Sequence, residues 1–167
     1  MRSMVDDAVK SGKQRSEENV HIDEFSVPKI MVIGAGGAGC NAVNRLASMN
    51  ISGAQLAAVN TDKQHLSIIN DNITKVLIGK SVTRGLGAGG YPEVGEKAAE
   101  VSKADLEAIM KGVDMLFICA GMGGGTGTGS APVIAQIAKE QGAIVIAMVT
   151  YPFMLERART FKAEEGI

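Results

Sequence analysis

The chain has 167 residues, 46% of them hydrophobic, and a formal net charge of −1. That is enough for one domain with a buried core, and too apolar for a disordered chain. A near-neutral balance offers no field to gather nucleic acid or an anionic membrane, and 4% aromatics with no Trp argues against a base-stacking platform. Glycine stands out, at 21 residues against an ordinary share of roughly 7%. Two cysteines, Cys40 and Cys119, make no disulfide framework, so a reduced cytoplasmic chain is the expectation. No run reaches the ~18 apolar residues of a membrane span, and the N-terminal stretch lacks the pattern of a secretory leader.

Residues 1–28 are polar and mixed in charge, and read as a mobile arm ahead of a domain at 29–167. From Lys29 the patterns alternate. Apolar runs at 29–34, 56–60, 75–78, 113–119 and 143–149 predict five buried strands. Between them, helical spacing predicts helices over 38–49, over 62–70 with Asp62 as N-cap, and from Pro92 to about Lys111 with Gly112 as its stop. A further helix is expected from a Ser130 cap, with Pro132 in its first turn and Gly142 at its end, and a last one from near Glu156. The segment 80–91 reads as a long loop. Continuous apolar strands alternating with amphipathic helices imply an α/β fold: a Rossmann-like parallel sheet with helices on both faces, in three layers. Ligands of such sheets bind at the carboxyl ends of the strands, where every glycine-rich loop of this chain should gather.

Three loops carry the chemistry. The first, Gly34 to Asn41 (GAGGAGCN), joins a strand to a helix, where glycines let backbone approach a phosphate and the helix start offers free N–H groups. Alone it also fits the dinucleotide fingerprint at Gly34, Gly36 and Gly39. Asn41 is open between ligand contact and a bond to a neighbouring loop. The second, Gly123 to Gly129 (GGGTGTG), puts five glycines and two Thr hydroxyls between two core elements, which makes an anion nest a better reading than a floppy linker. The third, Thr83 to Pro92, is long enough to be functional, with Arg84 either assisting or simply exposed. A Walker loop is rejected, because Thr74 stands where its first glycine belongs. A nicotinamide-dinucleotide enzyme needs an acid ending the second strand, which here ends at Asn60. His21 and His65 read as solvated, the nine Met as core filling, and no Cys/His spacing fits zinc.

GGGTGTG at 123–129 resembles the signature loop of the tubulin/FtsZ family, and the likeness is highly specific. GAGGAGCNAVNRL at 34–46, AVNTDKQ at 58–64, TRGLGAGGYPEVG at 83–95, and TYPF at 150–153 followed by Glu156 match the same family in order, in an archaeal-like pattern. The resemblance implies a GTP-binding domain of a cytoplasmic cell-division GTPase that polymerises head to tail into a ring at mid-cell, with GTP or GDP as ligand and Mg²⁺ held mainly through phosphates and water. It assigns phosphate contacts to Gly36, Gly37, Ala38, Gly39, Cys40 and Asn41 of the first loop and to Gly124, Gly125, Thr126, Gly127 and Thr128 of the second. Ala88, Gly89 and Gly90 then approach the terminal phosphate and Glu156 the ribose hydroxyls; from the residues alone Glu156 is a solvated first-turn acid.

This sequence departs from the family pattern in three places: Cys40 for Gly, Tyr91 for Asn, and a stretch one residue short after Glu156, which gives the nucleotide-contacting arginine role to Arg159. The resemblance further implies that the family's central helix, its guanine-reading Asn and Asp, its acidic catalytic loop and its C-terminal domain lie beyond residue 167. No catalytic or metal-ligating residue is therefore expected in this chain, which would supply the phosphate cradle and little turnover. No nucleic-acid partner and no direct membrane contact are expected. Two rival readings are a dinucleotide-dependent oxidoreductase domain and a filament-capping interaction fragment.

Overall fold

A computed structural model of the chain describes residues 27–164 and 166. The arm expected at 1–28 lies outside them, apart from Val27 and Pro28, which are exposed.

Five strands form one parallel sheet: β1 (Ile30–Ala35), β2 (Ala54–Asn60), β3 (Thr74–Leu77), β4 (Met115–Gly121) and β5 (Ile144–Thr150), in the order β3-β2-β1-β4-β5. The register sets Ala35 beside Val59 on one side and Ala120 on the other, so β1, β2 and β4 end together. Chain order reverses between β1 and β4. The loops leaving those two strands therefore part at the sheet's carboxyl edge and open a crevice there.

Helices α1 (Gly36–Ser48) and α2 (Lys63–Ser67) lie on one face, closing a small cluster of Cys40, Val43, Ala58, Leu66, Ile69 and Ile73. The short α3 (Lys80–Thr83) leads to α4 (Pro92–Glu100), α5 (Lys103–Met110) and α6 (Thr126–Glu140), and these bury the larger core around Ile33, Leu116, Ile118, Leu106 and Ile134. Each such side chain taken out of water contributes about 2 kcal/mol. Helices α4 and α6 cross through glycines: a Cβ on Gly129 would strike the Pro92 carbonyl, and one on Gly95 would sit 2.5 Å from the Gly125 oxygen. A one-turn 3-10 helix (Met154–Glu156) and α7 (Ala158–Glu164) bring the chain back across the carboxyl edge.

Four local expectations change. The helix predicted from 92 to 111 breaks at Val101–Ser102, because the Ser102 hydroxyl accepts the Gly79 N–H at 2.9 Å and holds the β3–α3 turn instead of continuing the helix. Ser130 is no cap: α6 already begins at Thr126, and the Ser130 hydroxyl donates back to the Thr126 carbonyl at 2.5 Å. Pro132 accordingly sits inside α6 rather than in its first turn. The loop expected at 80–91 opens with the helical turn α3, set between two left-handed residues, Gly79 and Arg84. The expectation of a buried fifth strand changes too: β5 is the sheet's edge strand and is exposed at every residue but the half-buried Val145, while Phe117, Cys119 and Met148 line an apolar groove beside α1. The methionines divide to match, with Met31, Met110 and Met122 in the core and Met49, Met148 and Met154 exposed.

Candidate functional site

The crevice at the reversal point is a cleft of about 560 Å³. Its floor is backbone: Ala35, Gly37 and Ala38 from the first loop and Gly121 to Gly127 from the second. Gly90 contributes from the third loop, and Thr150 to Phe153, Glu156, Arg159 and Lys162 close the far wall.

The loops approach one another so closely that side chains are excluded. Gly36 holds φ at +70°, and a Cβ there would lie 2.6 Å from the Gly127 nitrogen. A Cβ on Gly125 would meet the Tyr91 nitrogen at 2.8 Å and the Gly90 nitrogen at 3.1 Å. Gly37 and Gly124 differ: both are exposed, and a Cβ on either meets nothing within 4 Å. Their bareness therefore keeps space free in the cleft and relieves no internal clash. Both α1 and α6 begin at this floor without a side-chain cap, so their first N–H groups are left for a ligand.

Polar side chains lock the loops together from behind. Thr61, fully buried, is the hub. Its hydroxyl shares a hydrogen bond with that of Thr126 at 2.7 Å. Its carbonyl accepts the Gly87 N–H at 3.1 Å and the Thr83 hydroxyl at 3.3 Å. Gly123 N–H donates to the Thr128 hydroxyl at 3.0 Å, curling the second loop.

A second chain runs beside it. Asn60 Oδ1 accepts the Thr61 and Asp62 N–H groups, so its Nδ2 faces His65 Nδ1 at 3.3 Å. That nitrogen must accept, so Nε2 carries the proton and donates to Asn41 Oδ1 at 3.2 Å. His65, expected in solvent, is thus half-buried and bonded at both nitrogens. Asp62 caps α2 as expected, accepting from Gln64 and His65 N–H.

Of the residues singled out in the sequence, Gly37, Ala38, Gly90, Gly124, Gly125, Thr126, Gly127, Glu156 and Arg159 come together on the cleft wall. Gly36, Gly39 and Thr128 lie buried behind it as spacing and bracing residues. Ala88 is buried under the third loop, Gly89 is exposed beside Tyr91, and neither lines the cleft. Cys40 turns its thiol into the core, 3.6 Å from the Gly34 and Val59 carbonyls, and burial pushes that thiol up to about 12. Asn41 lies one turn along α1 from the cleft, and Arg84 is exposed. Arg159 and Glu156 pair with each other at 2.9 Å. Sequence reasoning missed Thr61, whose partners lie 22 and 65 positions away, and Lys162, which looks like any surface lysine on a short helix.

Comparison with known proteins adds identity to this geometry. The profile of the tubulin/FtsZ family GTPase domain matches residues 29–167. The chain is 56% identical over 168 residues to cell division protein FtsZ 2 of Methanocaldococcus jannaschii, covering all of this chain and 44% of that protein. It is 51% identical to FtsZ 2 of Halobacterium salinarum, covering 43% of that protein. Among solved structures, an empty FtsZ dimer from M. jannaschii superposes with a TM-score of 0.81 at 45% identity, over 95% of this chain and 44% of the other. A GTPγS-bound protofilament of CetZ2 from Haloferax volcanii matches with a TM-score of 0.69 at 27% identity, over 83% of this chain and 45% of the other. The chain thus spans less than half the length of these relatives. By profile, by sequence and by fold, it belongs to the tubulin/FtsZ family.

Proposed function

We propose that this chain is the nucleotide-binding part of a cell-division GTPase of the FtsZ kind, and that its cleft binds the phosphates of GTP and GDP. One observation carries the reading: backbone from three separate loops converges on a single cleft that is kept free of Cβ atoms. Free N–H groups at two helix starts supply a fixed positive potential without side-chain reorganisation. Glu156, which lines the cleft and pairs with Arg159, is read as accepting the ribose hydroxyls. Ala88, Gly89, Cys40 and Asn41 are read as supporting the loops that make the phosphate contacts. The support for guanine over another base is family membership.

Mg²⁺ is read as riding on phosphate oxygens and water. The described residues hold no group of three or more His, Cys, Asp or Glu side chains that suits a metal, so no protein ligand is assigned. Among the described residues the cleft wall contains one carboxylate, Glu156, and it is engaged with Arg159. An acid that orients the attacking water is therefore read as coming from a neighbouring subunit in a head-to-tail polymer. The chain itself, read as a domain at 29–167, supplies the cradle with little turnover. Its setting is read as the cytoplasmic division site, with no nucleic-acid partner. No helix among the described residues is long and apolar enough to cross a membrane.

A nicotinamide-dinucleotide site finds no support at the end of β2. The Asn60 amide is spent on Thr61, Asp62 and His65, and the Asp62 carboxylate on the α2 cap, so no free acid awaits a ribose there. No feature of the cleft favours a filament-capping role over nucleotide binding. Thermal unfolding with GTP, GDP and NAD side by side tests the assignment. Stabilisation by the guanine nucleotides and none by NAD is expected; stabilisation by NAD alone, or by none of the three, overturns it.

A further inference from the structure

The cleft wall carries three charged side chains among the described residues, and they are not equivalent. Glu156 and Arg159 satisfy each other. Lys162, one turn further along α7, has no carboxylate within ion-pairing distance among the described residues. Its ammonium donates to the Gly90 carbonyl at 2.6 Å and stands 5.2 Å from the centre of the Tyr91 ring. That carbonyl and ring engage part of a group with three N–H donors, and the rest is available to a ligand.

Its position has a direction. Gly90 and Tyr91 belong to the third loop, and their nitrogens press against Gly125 of the second. Lys162 therefore stands where those two loops meet, while Glu156 lies six residues earlier in the chain, in the 3-10 helix that precedes α7. A carboxylate repels phosphate and accepts sugar hydroxyls, so a nucleotide aligned by this wall sets its sugar toward Glu156 and its last phosphate toward Lys162.

Resting on the nucleotide reading above, we infer that Lys162 is the side chain that recognises the terminal phosphate of a nucleoside triphosphate in this cleft. Its ammonium bridges that phosphate to the Gly90 carbonyl and so ties the third loop to triphosphate occupancy. With a diphosphate, the ammonium stays on Gly90 and Tyr91. An ammonium serves here as a mobile point charge on a flexible stem, which suits a group that must reach a ligand and a carbonyl together.

The test compares GTP and GDP affinity, by calorimetry, of the chain and of its Lys162→Met and Lys162→Arg variants. Lys162→Met should weaken GTP about tenfold and GDP less than about threefold, the loss of one charge-assisted hydrogen bond, and Lys162→Arg should recover most of the GTP affinity. Equal weakening of both nucleotides, or no loss for GTP, overturns the inference. Lysine acetylation footprinting on the unaltered chain reads the same contact without a variant: GTP should protect Lys162 and GDP should not, and equal reactivity in both also overturns it. If the unaltered chain binds neither nucleotide, the functional reading falls and this inference with it. Intact binding with an unchanged GTP-to-GDP preference in Lys162→Met removes the role of Lys162 alone.

Discussion

The hydroxyls of Thr61, just past β2, and Thr126, at the head of α6, meet at 2.7 Å in a place closed to solvent. Through this bond and the Thr61 carbonyl, the second and third loops share one anchor. Thr61→Val keeps the shape and removes the bond, leaving the Thr126 hydroxyl without a partner. Chemical denaturation should show a loss of about 1–3 kcal/mol. Thr61→Val with Thr126→Val should cost clearly less than the sum of the single changes, because the orphaned hydroxyl is then gone too. Strict additivity would count against the shared anchor.

Two kinds of glycine build the cleft, and substitution separates them. Gly36→Ala forces a Cβ to within 2.6 Å of the Gly127 nitrogen at a left-handed φ of +70°. Overpacking and backbone strain together should destabilise by about 2–4 kcal/mol. Gly124→Ala adds a Cβ that meets nothing within 4 Å, so stability should stay within about 0.5 kcal/mol. Nucleotide affinity should fall in both variants. Unaltered GTP binding by a well-folded Gly124→Ala variant would show that its backbone does not face the ligand.

Burial pushes the Cys40 thiol from an ordinary value near 9 up to about 12. The unfolded chain releases this proton near pH 9 while the folded chain keeps it. The folded state therefore binds more protons between pH 9 and 12, and stability falls as pH rises through that window. The slope from this group is at most about 1.4 kcal/mol per pH unit. Urea titrations at pH 8, 9 and 10 should show a steeper decline for the native chain than for Cys40→Ala. Parallel declines would mean that the thiol is not buried. Cys119, half-buried, should react with a thiol reagent well before Cys40.

The sheet and the loops were legible in the sequence because their causes are local. A strand covered on both faces must be apolar throughout, as in Ile30–Ala35, and loops that approach one another as closely as Gly36 and Gly125 approach their neighbours must shed their side chains. Two helix starts were legible, at the Asp62 cap and at Pro92, but that of α6 was not. Thr126 begins α6 amid glycines that read as loop, because tertiary contact with α4 through Gly95 and Gly129 overrides their poor helix propensity. Ser102 breaks a helix to serve Gly79, 23 positions away, and His65 links Asn60 to Asn41 across two elements. Such bonds join residues that only the fold brings together. Lys162 escaped notice for the same reason, since its partner Gly90 is 72 positions distant.

The central claim is that backbone N–H groups from separate loops converge to hold a polyphosphate. Amide shifts in a ¹H–¹⁵N spectrum, followed as GTP is titrated into the chain, address it directly. The largest changes should fall on Gly37, Ala38, Gly124, Gly125 and Thr126 together, with the sheet's opposite edge unmoved. Changes confined to one loop, or centred on the apolar groove beside β5, would contradict it.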